Sequence, residues 1–182
     1  MKLKIIKLNS VDSTNDEAIK LIKRDKLKPS IITAKIQKKG KGTMGKTWIS
    51  KKGNLFLSLY FEVKSIKKNN FAILNPHIIK KILSEYSIRQ VTIKWPNDLL
   101  IMRKKICGIL QEVIEYKKRK FLIIGIGINT IRSPKSKNFK SISLLECSSG
   151  NIRNEEILMK IKFAYEKIFS NFNKNKHINS KR

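Results

Sequence analysis

Residues 90–128, QVTIKWPNDLLIMRKKICGILQEVIEYKKRKFLIIGIGI, contain the part of the chain that decides its fold. Runs of β-forming residues at 90–94, 99–103, 105–115 and 121–128 follow one another with short polar turns between them. Turns this short join antiparallel neighbours, whereas parallel strands need long crossover connections. The segment therefore predicts a series of β-hairpins rather than a regular alternation of strands and helices.

The rest of the chain adds further strands and helices at intervals. Apolar runs predict strands at 3–8, 30–36 and 54–63. Helical patterns are expected at 14–24, in a region that ends at Tyr86, and from 154 to 172. These elements predict one domain of the α+β class, with a mixed, mostly antiparallel β-sheet covered by helices.

Local signals bear on two of these helices. Ser13 can cap the first helix, because its hydroxyl oxygen can accept a hydrogen bond from an unpaired backbone N–H. Asp16 and Glu17 follow in the first turn, where the helix dipole favours negative charge. Pro76 is expected either to break the second helix into two pieces or to mark a first turn.

The composition is dominated by positive charge. The 182 residues include 41 Lys and Arg but only 13 Asp and Glu, which gives a formal net charge of +28. Such a charge ordinarily points to nucleic acid or to an anionic membrane. Only 7 of the basic residues are Arg, and the lysines are spread through every predicted element instead of forming one stripe. A basic nucleic-acid-binding module is therefore an alternative, and codon bias is a sufficient explanation of the charge.

The cysteines and histidines exclude two common scaffolds. Cys107 and Cys147 are 40 positions apart, and His77 and His177 are the only histidines. These residues form neither a disulfide framework nor a zinc-ligand pattern. No stretch of the sequence has the pattern of a signal peptide or of a membrane span. We expect a cytoplasmic protein that does not associate with a membrane.

The glycine-rich stretch GKGTMGKT, residues 40–47, matches the nucleotide-binding pattern GxxxxGK[ST] letter for letter. A phosphate loop of that kind requires a helix directly after it, because the helix N-terminus binds the anion. The residues after Thr47 lead instead into Gly53-Asn54 and a strand, which makes a P-loop phosphotransferase the weaker alternative. The loop with Lys41 and Lys46 can still bind a phosphate or a carboxylate, although a mobile, solvated loop would have the same composition.

A second polar cluster lies at the junction of two predicted strands. Lys94-Trp95-Pro96-Asn97-Asp98-Leu99 brings a cation, an indole, an amide and a carboxylate to one turn. Lys105 lies seven residues past Asp98 on the returning strand, so a hairpin can hold its ammonium near the carboxylate, and Gly108 permits a ligand to approach closely. Asn129 adds a polar group at the end of the next strand. A surface hairpin with an ordinary ion pair is the alternative.

Together these segments resemble the catalytic domain of biotin protein ligases. Six pieces occur in the family's order and with similar separations: VDSTNDEA (11–18), QKKGKGTMGKTW (37–48), GNLFLSL (53–59), KWPNDL (94–99), KKICGILQE (104–112) and GIGIN (125–129). The resemblance implies a catalytic domain over residues 1–172 and a polar tail over 173–182. Lipoate ligases and octanoyltransferases share the fold and are the nearest alternative, but their glycine-rich segment with an aromatic residue and a histidine is missing here.

The resemblance implies two half-reactions. Biotin and Mg-ATP would give biotinyl-5'-AMP and pyrophosphate, and biotin would then pass to one lysine of the biotin carboxyl carrier protein of acetyl-CoA carboxylase or of a related carboxylase. Lys105 would be the catalytic residue, because a fixed cation draws two anions together and stabilises the charge that develops between them. Asp98 would bind Mg²⁺, since a carboxylate oxygen suits that ion. ATP and Mg²⁺ are the expected cofactors.

The same resemblance implies the binding residues. Biotin would be bound by Ser13, Thr14, Asn15, Gln37, Gly40, Lys41, Gly42, Thr43, Lys105 and Gly108, whose hydroxyls and amides suit a neutral ureido group. The nucleotide would be bound by Lys41, Lys46, Trp48, Asn97, Asp98 and Asn129. Trp48 would stack near the adenine, and a core indole is the alternative for this residue.

Three departures from the family pattern bear on activity. The usual loop GRGRxGR has Lys41, Thr43 and Lys46 in place of its arginines, which predicts weaker loop order and weaker retention of the adenylate. No helix-turn-helix domain is expected before the catalytic domain, so DNA binding and repression are not expected. No SH3-like domain is expected after it, which affects ATP affinity and carrier docking.

The resemblance also allows a homodimer, and the positive charge could steer an acidic carrier domain.

Overall fold

Seven strands and three helices build the part of the chain that the computed structural model describes, which is residues 2–63, 68–136 and 139–179. The strands are β1 (Lys4–Val11), β2 (Ser30–Gln37), β3 (Leu55–Glu62), β4 (Val91–Lys94), β5 (Asp98–Ile101), β6 (Lys104–Tyr116) and β7 (Arg119–Ile128). The helices are α1 (Thr14–Lys23), α2 (Lys68–Ser84) and α3 (Asn154–Asn179). None of the helices in these ranges is long and apolar enough to cross a bilayer.

All seven strands form one sheet in the order β1-β2-β3-β7-β6-β5-β4. β1 and β2 pair in parallel, with α1 as the connection that returns the chain to the same end of the sheet. Every other neighbouring pair is antiparallel. The predicted mixed, mostly antiparallel sheet of the α+β class is therefore confirmed, and the hairpin series of residues 90–128 forms one half of it.

The two faces of the sheet pack against different helices, and the alternation of side chains along β7 shows the division. Leu122, Ile124 and the later even-numbered residues of β7 face the main core, where α2 and α3 pack. Phe121 and Ile123 point the other way and pack with residues of α1. The glycines at 125 and 127 continue on the α1 side, so this face is filled at one end and open at the other.

The helix boundaries correct two expectations. Pro76 neither breaks α2 nor marks its first turn, because the helix continues from Lys68 to Ser84 around it. Tertiary packing holds the helix on both sides of the proline: Phe71 and Ile79 are fully buried, and the Tyr165 hydroxyl donates to Asn75 Oδ1 at 2.7 Å. α3 begins at Asn154 as expected but continues to Asn179 instead of ending near residue 172, and residues 180–182 lie outside the described ranges.

Phe61 provides a direct test of the packing between the sheet and the two helices. Its ring is 1% exposed and lies 5.3 Å from the Phe71 ring and 4.5 Å from the Phe169 ring, centroid to centroid. Phe61→Ala should lower the free energy of unfolding in urea by about 3–5 kcal/mol, because it leaves a cavity where β3, α2 and α3 meet. Phe163→Ala is the matched control, since that ring is 57% exposed, and it should change the stability by less than about 0.5 kcal/mol. Equal losses in the two variants would contradict this packing.

Candidate active site

A cavity of about 750 Å³ opens on the α1 side of the sheet, where β6 and β7 carry glycine. It lies between the start of α1, the glycine-rich loop, the β5–β6 hairpin and the end of β7. Most of the residues expected from the sequence line it: Ser13, Thr14, Asn15, Gln37, Lys41, Gly42, Thr43, Lys46, Trp48, Asn97, Asp98, Lys105 and Gly108. Segments far apart in the sequence therefore converge on one site.

One end of the cavity is polar but uncharged. Ser13 caps α1 by accepting a hydrogen bond from the Asp16 backbone, and this cap places Thr14 and Asn15 in the first turn of the helix. All three side chains are buried. The backbone N–H of Thr14 donates to Gln37 Oε1 at 2.8 Å, and the Thr14 hydroxyl lies 3.0 Å from the same oxygen. This end offers hydroxyls and amides to a neutral, hydrogen-bonding ligand group.

Two residues that the sequence analysis did not assign support this polar end. The Ser58 hydroxyl lies 2.7 Å from Thr14 Oγ1 and 2.5 Å from Asn15 Oδ1. The Asn15 amide donates to Glu112 Oε2 at 2.6 Å. A signal for Ser58 was present, because it is the one polar residue in the buried run LFLSLYF of β3.

The other end of the cavity is cationic. The β5–β6 hairpin holds Lys105 Nζ 2.7 Å from Asp98 Oδ1, and both side chains are about one-fifth exposed. The ammonium also lies 5.3 Å from the centre of the Trp48 ring and 5.6 Å from that of Phe139. The predicted juxtaposition of Lys105 and Asp98 is confirmed. Among the described residues, four lysines and one carboxylate line the cavity, so its electrostatic potential favours anionic ligands: Lys41, Lys46, Lys94, Lys105 and Asp98.

Trp48 forms a wall between these two ends. Its indole lies directly on Gly108 and Gly127, which pair with each other across β6 and β7. A Cβ at Gly127 would meet Trp48 Cε2 at 2.5 Å, and a Cβ at Gly108 would meet Trp48 Cζ3 at 2.7 Å. Only glycine lets the ring lie this close to the sheet. Trp48 is half-buried and lines the cavity, so it is not simply a core indole.

The glycine-rich loop is closed by its own contacts. The Trp48 backbone N–H donates to the Gly40 carbonyl at 2.9 Å, and Lys41 forms an ion pair with Asp16 in the first turn of α1. The hydrogen bond to Asp16 raises the pKa of the Lys41 ammonium. A single turn of 3₁₀-helix at Thr43–Gly45 is the one helical piece in the loop, and no helix follows Thr47 before β3. The phosphate-loop interpretation of GKGTMGKT therefore does not fit this structure.

Two expected binding residues do not line the cavity. Gly40 is buried, and a Cβ there would meet both Ser50 Oγ and the Trp48 carbonyl oxygen at 2.6 Å, so glycine at this position allows the loop to close. Asn129 is also buried, and its amide donates to the Lys105 carbonyl at 3.2 Å. This bond fixes the strand that carries Lys105. A direct nucleotide contact of Asn129 stays a prediction.

Asn97 has both a structural and a cavity-facing position. Its side-chain amide donates to the Ile109 carbonyl at 3.2 Å, and its backbone carbonyl accepts a hydrogen bond from the Ile109 N–H at 2.9 Å. These bonds fasten the Trp95-Pro96-Asn97 turn to β6. The turn therefore holds the neighbouring Asp98 in place beside Lys105.

The donor set of the site limits the kind of metal ion it can bind. No three His, Cys, Asp or Glu side chains cluster as metal ligands within the described ranges, and Asp98 is the one carboxylate among the lining residues. One carboxylate is too few for a zinc or calcium site. It suits Mg²⁺, which takes most of its ligands from water and from substrate phosphates. Asp98 therefore fits the magnesium that accompanies a nucleoside triphosphate.

The fold and the site define an α+β ligand-binding domain of the protein-ligase type. The sequence pattern of the biotin/lipoate A/B protein ligase family matches residues 8–129. This match covers more than half of the chain, and the chain belongs to that family.

Named relatives agree with this assignment. The chain is 29% identical over 170 residues to the bifunctional ligase/repressor BirA of Bacillus subtilis (strain 168), and the alignment covers 89% of this chain and 52% of the relative. It is 31% identical over 155 residues to biotin--protein ligase 2 of Arabidopsis thaliana, with coverages of 79% and 45%. The chain thus spans about half the length of the curated relatives that it matches.

Solved structures share the fold. A biotin protein ligase from Aquifex aeolicus, in complex with biotin and ATP, matches with a TM-score of 0.76 and 26% identity over 93% of this chain and 71% of that one. A biotin acetyl coenzyme A carboxylase synthetase from Helicobacter pylori, with bound biotinylated ATP, matches with a TM-score of 0.70 and 27% identity, covering 91% and 75%. The sheet and its helices are therefore those of the family's catalytic fold.

Gly127→Ala tests the position of Trp48. The added methyl group should displace the indole, because it would lie about 2.5 Å from the ring. In a Trp95→Phe background, in which Trp48 is the remaining tryptophan, we expect a red shift of the fluorescence emission with an unchanged far-UV circular dichroism spectrum. Gly150→Ala is the control, because nothing lies within 4 Å of a Cβ there. Identical emission from the two variants would show that the indole does not lie on Gly127.

Proposed function

We propose that this protein is an ATP-dependent biotin–protein ligase. It joins biotin to AMP and then transfers the biotin to a lysine of a carrier protein. The observation that carries this proposal is the two-ended cavity, in which buried hydroxyls and amides at the start of α1 lie across Trp48 from the Lys105–Asp98 ion pair. Biotin has matching ends, a neutral ureido ring and a carboxylate.

The polar end also favours biotin over other acids that the family name covers. Lipoate and octanoate end in an apolar group. Such a group would leave the buried Thr14 and Asn15 side chains and the half-buried Gln37 side chain without ligand partners, and polar groups that a ligand desolvates without pairing are costly. A cyclic urea supplies one acceptor and two donors to the same groups.

In the first half-reaction, a carboxylate oxygen of biotin attacks the α-phosphorus of ATP and the bond to pyrophosphate breaks. Lys105 is proposed as the catalytic residue, because its ammonium can contact both the carboxylate and the α-phosphate. Its ion pair with Asp98 holds the ammonium in position before the reactants arrive, so little reorganisation is needed as charge develops. Mg²⁺ bound through Asp98 and the phosphates would neutralise charge on the leaving pyrophosphate.

In the second half-reaction, the neutral amine of a carrier lysine attacks the carbonyl carbon of the mixed anhydride. The bond to the phosphate oxygen breaks, AMP leaves with the electron pair, and the amine proton passes to solvent. The glycine-rich loop covers the adenylate until the carrier arrives, held by its hydrogen bond to Trp48 and by the Lys41–Asp16 ion pair. Excluding water in this way protects the anhydride from hydrolysis.

The carrier and the surroundings of the enzyme belong to the same proposal. The partner is a biotin carboxyl carrier protein of acetyl-CoA carboxylase or of a related carboxylase, and the site of action is the cytoplasm. A homodimer also belongs to the proposal. The net charge of +28 supports electrostatic attraction of an acidic carrier domain.

Lys105→Ala should reduce ATP-dependent incorporation of biotin into a purified carrier domain by about 100- to 1,000-fold, because it removes the fixed cation at the reacting centre. Lys117→Ala is the matched control. It removes a lysine from an ion pair with Asp25 at the far end of β6 and should keep the activity of the unaltered enzyme. Lipoate and octanoate are offered in parallel and should not be incorporated.

Two results would contradict this proposal. Transfer of lipoate or octanoate in preference to biotin would make the chain a lipoyl- or octanoyl-type enzyme of the same family. No transfer of any acid by the folded protein, combined with salt-sensitive nucleic-acid binding that survives Lys105→Ala, would favour the basic binding module.

Steering of an acidic carrier predicts a dependence on ionic strength. Raising the salt concentration from about 0.01 to 0.15 M shortens the Debye length from about 30 to 8 Å. We expect kcat/KM for the carrier to fall several-fold over this range, and by a larger factor than kcat/KM for biotin, because biotin carries a single negative charge and an acidic carrier domain carries several. Transfer rates that are insensitive to salt would show that the charge has no role in docking.

A further inference from the structure

We infer that Glu112 is a positioning residue that fixes the hydrogen-bond polarity of the acid-binding end of the cavity, and so makes that end selective for a cyclic urea. The inference rests on the proposed function. Glu112 is not among the residues that line the cavity, whereas Asn15, to which it is bonded, is. Glu112 therefore acts through Asn15 and not on the ligand itself.

An amide side chain can adopt two orientations that have the same shape but opposite hydrogen-bond polarity. Asn and Gln each carry an oxygen that accepts and a nitrogen that donates, and the two atoms exchange places when the group rotates by half a turn. A buried amide is therefore ambiguous unless one neighbour can only donate or can only accept. A carboxylate only accepts and a backbone N–H only donates, so each can set the orientation of an amide beside it.

The structure provides one such neighbour for each amide. Glu112 Oε2 accepts from Asn15 Nδ2 at 2.6 Å, which directs Asn15 Oδ1 toward the Ser58 hydroxyl, 2.5 Å away. The Thr14 backbone N–H donates to Gln37 Oε1 at 2.8 Å, which directs Gln37 Nε2 toward Ser50 Oγ at 3.1 Å. Glu112 and the Thr14 N–H thus fix the two ends of one hydrogen-bonded chain.

Ser58 joins the two halves of that chain. Its hydroxyl lies between Asn15 Oδ1 and Thr14 Oγ1, it is fully buried, and like Glu112 it does not line the cavity. Because Asn15 Oδ1 must accept, the one hydrogen of the Ser58 hydroxyl goes to it, and Ser58 Oγ then accepts from the Thr14 hydroxyl, 2.7 Å away. Gln37 is oriented by the Thr14 backbone N–H, which donates to the same Oε1 that lies 3.0 Å from the Thr14 hydroxyl.

The outcome is a cavity wall with one pattern of donors and acceptors. The amide nitrogens of Asn15 and Gln37 each carry a second hydrogen beyond the bond already named, so they can donate to one ligand carbonyl. The hydroxyl oxygens of Ser13 and Thr14 have lone pairs, so they can accept from two ligand N–H groups. This is the complement of a cyclic urea. If Asn15 rotated, a donor and an acceptor would exchange places and the urea would meet like groups.

Glu112→Gln tests the inference with almost no change of shape. A glutamine can both donate and accept, so Asn15 would occupy both orientations. We expect the Kd for biotin, measured by calorimetry, to rise about tenfold, which is the equivalent of one lost hydrogen bond. The KM for ATP should not change, because the nucleotide end of the site is untouched. Glu115→Gln, an exposed carboxylate on the same strand, is the matched control and should bind biotin like the unaltered protein.

Ser58→Ala gives a second test that does not require Glu112→Gln to fold. It should weaken biotin binding less than Glu112→Gln, since Glu112 still orients Asn15. The fold-loss of biotin affinity in the double variant should be smaller than the product of the fold-losses in the two single variants, because both side chains act through Asn15. A merely structural role would weaken biotin and ATP binding in parallel and would give independent effects.

The outcomes separate this inference from the proposed function. Biotin binding by the unaltered protein, combined with equal affinity in Glu112→Gln, overturns the role of Glu112 and leaves the ligase proposal standing. No biotin binding by the unaltered protein overturns both. Should Glu112→Gln fail to fold, unchanged biotin affinity in Ser58→Ala, or a parallel loss of biotin and ATP affinity in that variant, overturns the inference.

Discussion

The site depends on three glycines, which leave one face of the sheet without side chains at their positions. Along β7, Phe121 and Ile123 fill the space under α1, and the next two residues on that face, Gly125 and Gly127, leave it open. Gly108 extends the opening onto β6. Because sheet side chains alternate between faces, the even-numbered residues of β7 continue the main core without interruption, so the cavity does not weaken the layer beneath it. Trp48 and Asn15 then approach the sheet closely at these glycines. Asn15 forms part of the polar end of the cavity, and Trp48 forms the wall between the two ends.

The two ends of the cavity are rigid for different reasons. At the cationic end, the Asn97 bonds to Ile109 fasten the turn, and the Lys105–Asp98 pair lies on adjacent strands of one hairpin. At the neutral end, hydrogen bonds link groups from α1, β2, β3 and β6, so its geometry depends on the whole sheet. The glycine-rich loop is different, because the partly exposed Lys41–Asp16 pair that holds it is open to screening by salt. In the proposed reaction the loop opens for a carrier lysine, and such a weak contact suits that movement, whereas the groups proposed to select the acid are held more firmly.

Much of the fold could be predicted from the sequence, because its signals are local. Short turns between β-forming runs predict hairpins, and the Ser13 cap predicts the start of α1. The effect of Pro76 on α2 could not be predicted from the sequence. The helix is buried before and after the proline, and this tertiary packing outweighs the one backbone hydrogen bond that proline cannot form. Most cavity residues could be found from motifs, but the motifs do not show that Gly40 lies outside the cavity lining or that the Asn129 amide donates to the Lys105 carbonyl. Glu112 lies within a recognised motif, yet its bond to Asn15 joins residues 97 positions apart and cannot be read from spacing.

The central claim is that one cavity joins a ureido acid to a nucleotide, and the most direct measurement is formation of the adenylate without any carrier. The purified protein is incubated with Mg²⁺, biotin and ATP labelled at the α-phosphate, the mixture is quenched, and bound and released products are separated together by chromatography. We expect labelled biotinyl-5'-AMP in an amount of at least one per site, with pyrophosphate released in equal amount and no adenylate formed when octanoate replaces biotin. Absence of labelled adenylate from a folded protein that binds both biotin and ATP would contradict that claim.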